Sequence, residues 1–202
     1  MALLNACNVG SAEPANLETT TQATDPIADI LQKRHSGYSY DSTRPVTSDQ
    51  IQAIIKAGQL APSSYNDQPW YFIICDRTTN PEAYAKVFNT LVEFNQEWVK
   101  NVPLLIVSIA STNSHKNSFN RHAQYDTGAA AFSVMLQATS LGLMAHQMGG
   151  FDQTKLQEAF GISQDFVPMA VMAIGYAGKD DVARVKDRKP TIDNFFMGTW
   201  NP

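Results

Sequence analysis

Short apolar runs alternate with longer stretches of helical periodicity along this chain, and no segment repeats. Asp25 followed by Pro26 reads as an N-cap with proline at the first helical position, and Ile27, Ile30, Leu31 and Arg34 mark the stripe of the helix it opens. Thr47 and Gln50 have capping-box spacing ahead of Ile51, Ile54 and Ile55, a second helix that must stop near Pro62. Residues 70–75 form a short apolar run closed by turn residues, the pattern of a buried strand. Asn80-Pro81 opens a long helix through Tyr84, Val87, Phe88, Leu91, Val92 and Trp98. Residues 104–110 are a second strand, ended by a polar loop over 111–120. Residues 128–141 read as an Ala-rich helix, apolar nearly all round and therefore suited to a core or an interface. Asp152 caps a short helix closed by Gly161, and residues 169–176 are a third strand. This interleaving allows α+β or α/β in one domain. Residues 1–25, with little apolar periodicity, are expected to be a flexible N-terminal arm. Residues 179–202 are irregular yet hold Phe195, Phe196 and Trp200, as a docking tail would.

Composition narrows the classes. The 202 residues are 44% hydrophobic and 17% charged, with 15 basic and 19 acidic side chains, a net charge of −4 and a pI near 5.5. A nucleic-acid surface needs clustered cations; here they are scattered, so no nucleic-acid partner is expected. No apolar run approaches the roughly 18–20 residues of a membrane span, so no membrane partner is expected either. Cys7 and Cys75 have neither a disulfide framework nor zinc spacing: a tail thiol and a buried strand residue. The first residues lack the basic start and apolar core of an export signal, which makes the cytoplasm the expected location.

Four polar clusters could carry chemistry. Arg34-His35-Ser36 stands where the first helix should end; a guanidinium fork plus a hydroxyl suits a phosphate, although three such residues at a helix end are often ordinary surface. Residues 61–70, APSSYNDQPW, make a proline-stiffened loop rich in hydrogen-bonding groups, which suits a polar heterocycle as well as an ordinary connector. Gln147-Met148-Gly149-Gly150 precedes a helix start, and its glycines permit close backbone approach to a ligand without dinucleotide-fingerprint spacing. Lys186-Asp187-Arg188-Lys189 is a basic knot in an acidic chain, solvated surface or the second half of a phosphate clamp. His115, His122 and His146 lack metal-ligand spacing; His115 and His146 read as surface or satisfied histidines, while His122 lies in a polar stretch that could line a site.

In this order the clusters resemble the FMN-dependent nitroreductase family over residues 26–190. Arg34-His35-Ser36 matches its phosphate motif, residues 61–70 its most diagnostic segment, Asn95 its flavin-facing asparagine, and Gly149-Gly150 and Lys186-x-Arg188 its later elements. The resemblance implies an α+β nitroreductase-like fold, a central, mostly antiparallel sheet flanked by helices in an intertwined homodimer. It also implies an FMN-binding domain over residues 26–202 whose tail docks on the partner subunit. It implies an oxidoreductase that takes a hydride from NAD(P)H and reduces nitroaromatics, quinones or related small-molecule acceptors in a ping-pong cycle. The alternatives are a specialised relative that cleaves flavin, dehalogenates or oxidises heterocycles, and a flavin-binding protein without turnover. On the resemblance Arg34, Ser36, Lys186 and Arg188 hold the phosphate, with His35 alongside. Pro62, Ser63, Ser64 and Asn66 reach the same flavin from the partner subunit. Asn95 meets the pyrimidine edge, and Gln147, Met148, Gly149 and Gly150 lie against the ring, with a glycine N–H directed at N5 or O4. The chemistry is the cofactor's, so no catalytic side chain is assigned. Tyr38 and Trp98 stand where relatives often place cations facing the N1–C2=O edge, where negative charge collects on reduction.

Overall fold

The computed structural model describes residues 27–114, 118–183 and 186–200. Twelve short elements appear among them. Helix α1 (Asp29–Lys33) is followed by α2 (Ser48–Gln59), a 3₁₀ turn (Ser64–Asn66) and strand β1 (Trp70–Asp76). Then come α3 (Pro81–Phe88), α4 (Glu93–Val99), β2 (Leu104–Ser111) and α5 (Ala123–Ser140). Strand β3 (Met144–Met148), α6 (Gln153–Phe160), β4 (Phe166–Gly175) and a second 3₁₀ turn (Thr191–Asp193) complete the order. The sheet runs β1-β2-β4-β3 with every pair antiparallel. This is the α+β architecture that the family resemblance implied.

Alternation along the strands explains the layers. Cys75, Leu105, Val107, Ile109, Met144, Met148, Val171 and Ala173 face one way and pack under Tyr84, Val87, Val99 and Leu156 from α3, α4 and α6. Leu104, Ile106, Ala145, Met172 and Ile174 face the other way, against Ile54 of α2 and Val134, Met135 and Ala138 of α5. Helices on both faces leave β2 buried along its whole length. Cys75 is one of these inward strand residues, and burial pushes its thiol up to about 11, so it packs as a small hydrophobe. Cys7 and the predicted arm lie outside the described residues.

Local signals placed many boundaries well. Thr47 and Gln50 close the reciprocal capping box of α2. Asp152 caps α6, which ends on Gly161 at φ 66°. Four expectations need correction. The predicted first-helix start at Asp25-Pro26 lies outside the described residues; the helix seen begins at Asp29 after Ala28, and its stripe residues Ile27 and Leu31 are exposed. The single long helix from Pro81 is two helices. The Thr90 hydroxyl bonds Val87 O, and Thr90 O and the Val92 N–H bond Asp152 N and Gly150 O, pulling this backbone out of helix. Helix α5 starts at Ala123, five residues before the predicted Gly128, and Tyr125 and Phe132 stand exposed on it. Strand β3 has no local signal, because Met-Ala-His-Gln-Met has no strong β pattern; pairing with β4 forms it.

Candidate cofactor site

At the end of α1 the backbone turns extended at Arg34, whose Nη1 donates to Ser36 Oγ at 3.3 Å. The Lys186 ammonium donates to the carbonyls of Leu31 and Gln32, orphan acceptors of the helix end that favour a cation. Partial burial, and next the charge of Arg188, lower the Arg34 guanidinium below its ordinary range. The Arg188 charge is thus near enough to act on Arg34, and an anion between like charges would relieve them. His35 turns elsewhere: its Nδ1 faces Lys33 O at 3.1 Å and its Nε2 donates to Asp181 Oδ2 at 2.8 Å. Asp181, which no local pattern in the sequence singles out, is thereby the anchor of the segment. A Cβ on Gly37 would run into both the Asp181 carboxylate and the Met144 sulfur, so a side chain here would have to displace both for this backbone to lie against β3. The Gly37 carbonyl completes the seam by accepting from His146 Nδ1 at 2.9 Å.

The break between α3 and α4 brings Asn95 to the end of β3. Its Nδ2 donates to Gly150 O at 3.0 Å, and a Cβ on Gly150 would press against the same amide and Val92. The Gly150 N–H donates to nothing among the described residues. Met148 is buried in the core, so only its backbone can face a ligand, and Gln147 is exposed on the opposite side of β3. Tyr38 and Trp98 touch edge to face at 5.3 Å. His146 stacks on Trp98 at 4.8 Å and meets Tyr38 at 5.0 Å. Tyr38, Trp98 and His146 thus form one aromatic cluster, which no spacing in the sequence could reveal.

The diagnostic loop is built against α5. Buried Asp126 Oδ2 accepts from Ser64 N at 3.0 Å, Ser63 Oγ accepts from Gln68 N at 3.0 Å, and Asn120 Nδ2 donates to Asp67 Oδ2 at 2.6 Å. These bonds hold Tyr65, Asn66 and Gln68 at φ of 54°, 55° and 48°. Left-handed backbone at non-glycine residues costs roughly 1–2 kcal/mol each and collects at functional sites. Pro62 and Asn66 are exposed beside it, and a cavity of about 290 Å³ opens between this loop, Phe119, Arg121 and His122. Asp126 and Asn120 give no sequence signal, since their partners lie more than fifty positions away.

The fifteen predicted positions therefore gather in two groups. Arg34, His35, Ser36, Tyr38, Asn95 and Gln147 to Gly150 lie along β3 and its neighbours, with Lys186 and Arg188 at the end of α1, and Pro62, Ser63, Ser64 and Asn66 sit at the head of β1. These strands are opposite edges of the sheet, three strand spacings or roughly 14 Å apart. The first group fits FMN on its own chemistry, with mutually repelling guanidiniums for a phosphate and an N–H without a partner for a ring heteroatom.

Residues 31–176 match the model of the nitroreductase family, so the chain belongs to that family. A protein of Archaeoglobus fulgidus with a provisional NADH dehydrogenase/NAD(P)H nitroreductase name is 30% identical over 163 residues, 79% of this chain and 90% of its own. The oxygen-insensitive NAD(P)H nitroreductase of Enterobacter cloacae is 23% identical over 196 residues, 77% of this chain and 90% of that one. A crystal structure described as an oxidoreductase containing FMN superposes with a TM-score of 0.79 at 28% identity, over 89% of this chain and 96% of the other. No helix among the described residues is long and apolar enough to cross a membrane.

Proposed function

We propose that this protein reduces nitroaromatics, quinones or related acceptors with electrons from NAD(P)H, in a ping-pong cycle on FMN held between two copies of the chain. Its family membership makes it an NAD(P)H-dependent FMN oxidoreductase; the acceptor class, the cycle and the dimer are the added steps. The observation that carries the reading is the cationic corner of Arg34, Lys186 and Arg188, bonded through Gly37 to His146 of β3, the strand that leads on to the Asn95–Gly150 pair. FMN, when bound, supplies the ring that accepts and returns the hydride. Arg34, Ser36, Lys186 and Arg188 bind its phosphate, with His35 bracing that segment on Asp181. Asn95 meets the pyrimidine edge, and the N–H of Gly149 or Gly150 orients the ring. Pro62, Ser63, Ser64 and Asn66 approach from a second copy, because the sheet separates them from the phosphate corner. The absorbance spectrum of the purified protein, followed by anaerobic titration with NADH and NADPH and recovery with a quinone, tests the reading. Flavin that neither nicotinamide bleaches would favour a carrier without turnover.

The exposed stripe of Tyr125 and Phe132 on α5, with Phe195, Met197 and Trp200 exposed in the tail, supports the dimer and the docking of that tail on the partner. An obligate interface of about 2,000 Å² or more is expected. Sedimentation should show a dimer at all flavin occupancies; a monomer with full FMN would overturn it.

Tyr38→Arg should raise the two-electron potential of bound FMN, by roughly 30 mV for each 1.4 kcal/mol of attraction gained by the reduced form. Dye-equilibration potentiometry checks this. An unchanged potential with FMN bound would remove Tyr38 from the pyrimidine edge.

A further inference from the structure

We infer that His146 is the proton acceptor that balances charge when the bound cofactor is reduced, in place of the fixed cations missing at Tyr38 and Trp98. The inference rests on the FMN reading above. Three observations carry it. The ring lies in the cluster with Tyr38 and Trp98, the positions that the resemblance assigns to cations, stacked on Trp98 and edge-on to Tyr38. Its Nδ1 faces a carbonyl, Gly37 O, which can only accept, so Nδ1 bears the hydrogen and the lone pair of the neutral ring lies on Nε2. No hydrogen bond of the described residues engages that Nε2, which leaves it open to a proton.

The charged groups around it set the direction. Burial first and Arg34 last lower its pKa, with the Gly37 carbonyl opposing them, for a net value below the ordinary one. Asp181 stands across Gly37, already engaged by His35. Helix α4 presents Trp98, and β4 presents the paired Ala173. The neutral ring is therefore the resting form at neutral pH. A hydride brings two electrons and one proton and leaves one negative charge on the cofactor. With FMN bound, that charge would favour the imidazolium, and one proton from solvent would add to Nε2, so that the +1 gained by His146 offsets the −1 gained by the cofactor. Between the two pKa values one extra proton is taken up per two electrons.

The test uses the FMN-loaded protein. FMN binding is first measured by fluorescence quenching, and failure to bind would overturn the cofactor reading itself. The potential is then followed against pH by dye equilibration for the wild type and His146→Gln. One additional proton changes the reduction equilibrium constant by a further factor of ten per pH unit, so within the window the wild-type potential should fall about 30 mV per pH unit more steeply than the variant's. Equal slopes with FMN bound to both would overturn the inference. Should the variant fail to bind FMN, proton uptake on anaerobic reduction of the wild type by one equivalent of NADH, read with a pH indicator, decides. Uptake exceeding that of free FMN at the same pH, with the reduced flavin keeping the absorbance of its N1 anion, supports His146; equal uptake, or excess uptake with the spectrum of the neutral reduced flavin, overturns it.

Discussion

Arg34→Ala should weaken FMN binding roughly ten- to hundredfold while leaving riboflavin binding close to that of the wild type, and Arg188→Ala should do the same. A charge-assisted bond to phosphate contributes about 1.5–3 kcal/mol, and about 1.4 kcal/mol is a factor of ten in Kd. The structure sharpens the expectation, because the two guanidiniums repel in the protein alone. Removing either one relieves that repulsion, so the flavin-free variants should melt no lower than the wild type. Only the rise in Tm produced by added FMN should shrink, as mass action requires when Kd grows. Fluorescence titrations with both flavins, alongside thermal melts, separate the terms. Equal losses for FMN and riboflavin would assign these arginines to the fold instead of the phosphate.

Gly37→Ala should destabilise the protein by about 1–3 kcal/mol, the range for forcing a methyl group into a packed site. Its Cβ would collide with the Asp181 carboxylate on one side and the Met144 sulfur on the other. Asp181 is held by His35 and Met144 lies in the core, so neither can retreat without breaking another contact. A domain of this size loses roughly 2–4 °C of Tm per kcal/mol. FMN affinity should fall with it, since Arg34 and Ser36 ride on the displaced backbone. Gly149→Ala is the control: its Cβ would meet nothing within 4 Å, so stability should stay near the wild type. Calorimetry of both variants checks the pair, and a Gly37→Ala protein as stable as Gly149→Ala would show that the seam is not tightly packed.

What the sequence could determine by itself was whatever a few neighbouring residues decide. The Thr47–Gln50 box, the Asp152 cap, the Gly161 stop and the apolar runs that became β1, β2 and β4 all depend on contacts within a turn or a strand. The order of polar clusters was legible too, through the unusual residues 61–70, and with it the family. Tertiary structure decided the rest. The helix expected after Pro81 breaks because Thr90 and Val92 bond to Asp152 and Gly150, some sixty positions on, and that break is what delivers Asn95 to the glycines. Strand β3 exists because β4 offers it a ladder, which outweighs the weak β preference of its own residues. His35 faces Asp181 and His146 faces Gly37 across more than a hundred residues, pairings without any local periodicity. Tyr38 and Trp98 stood in the sequence as two separate missing charges. Only folding, by laying the segment after α1 across β3 and α4, made them one aromatic cluster around a histidine.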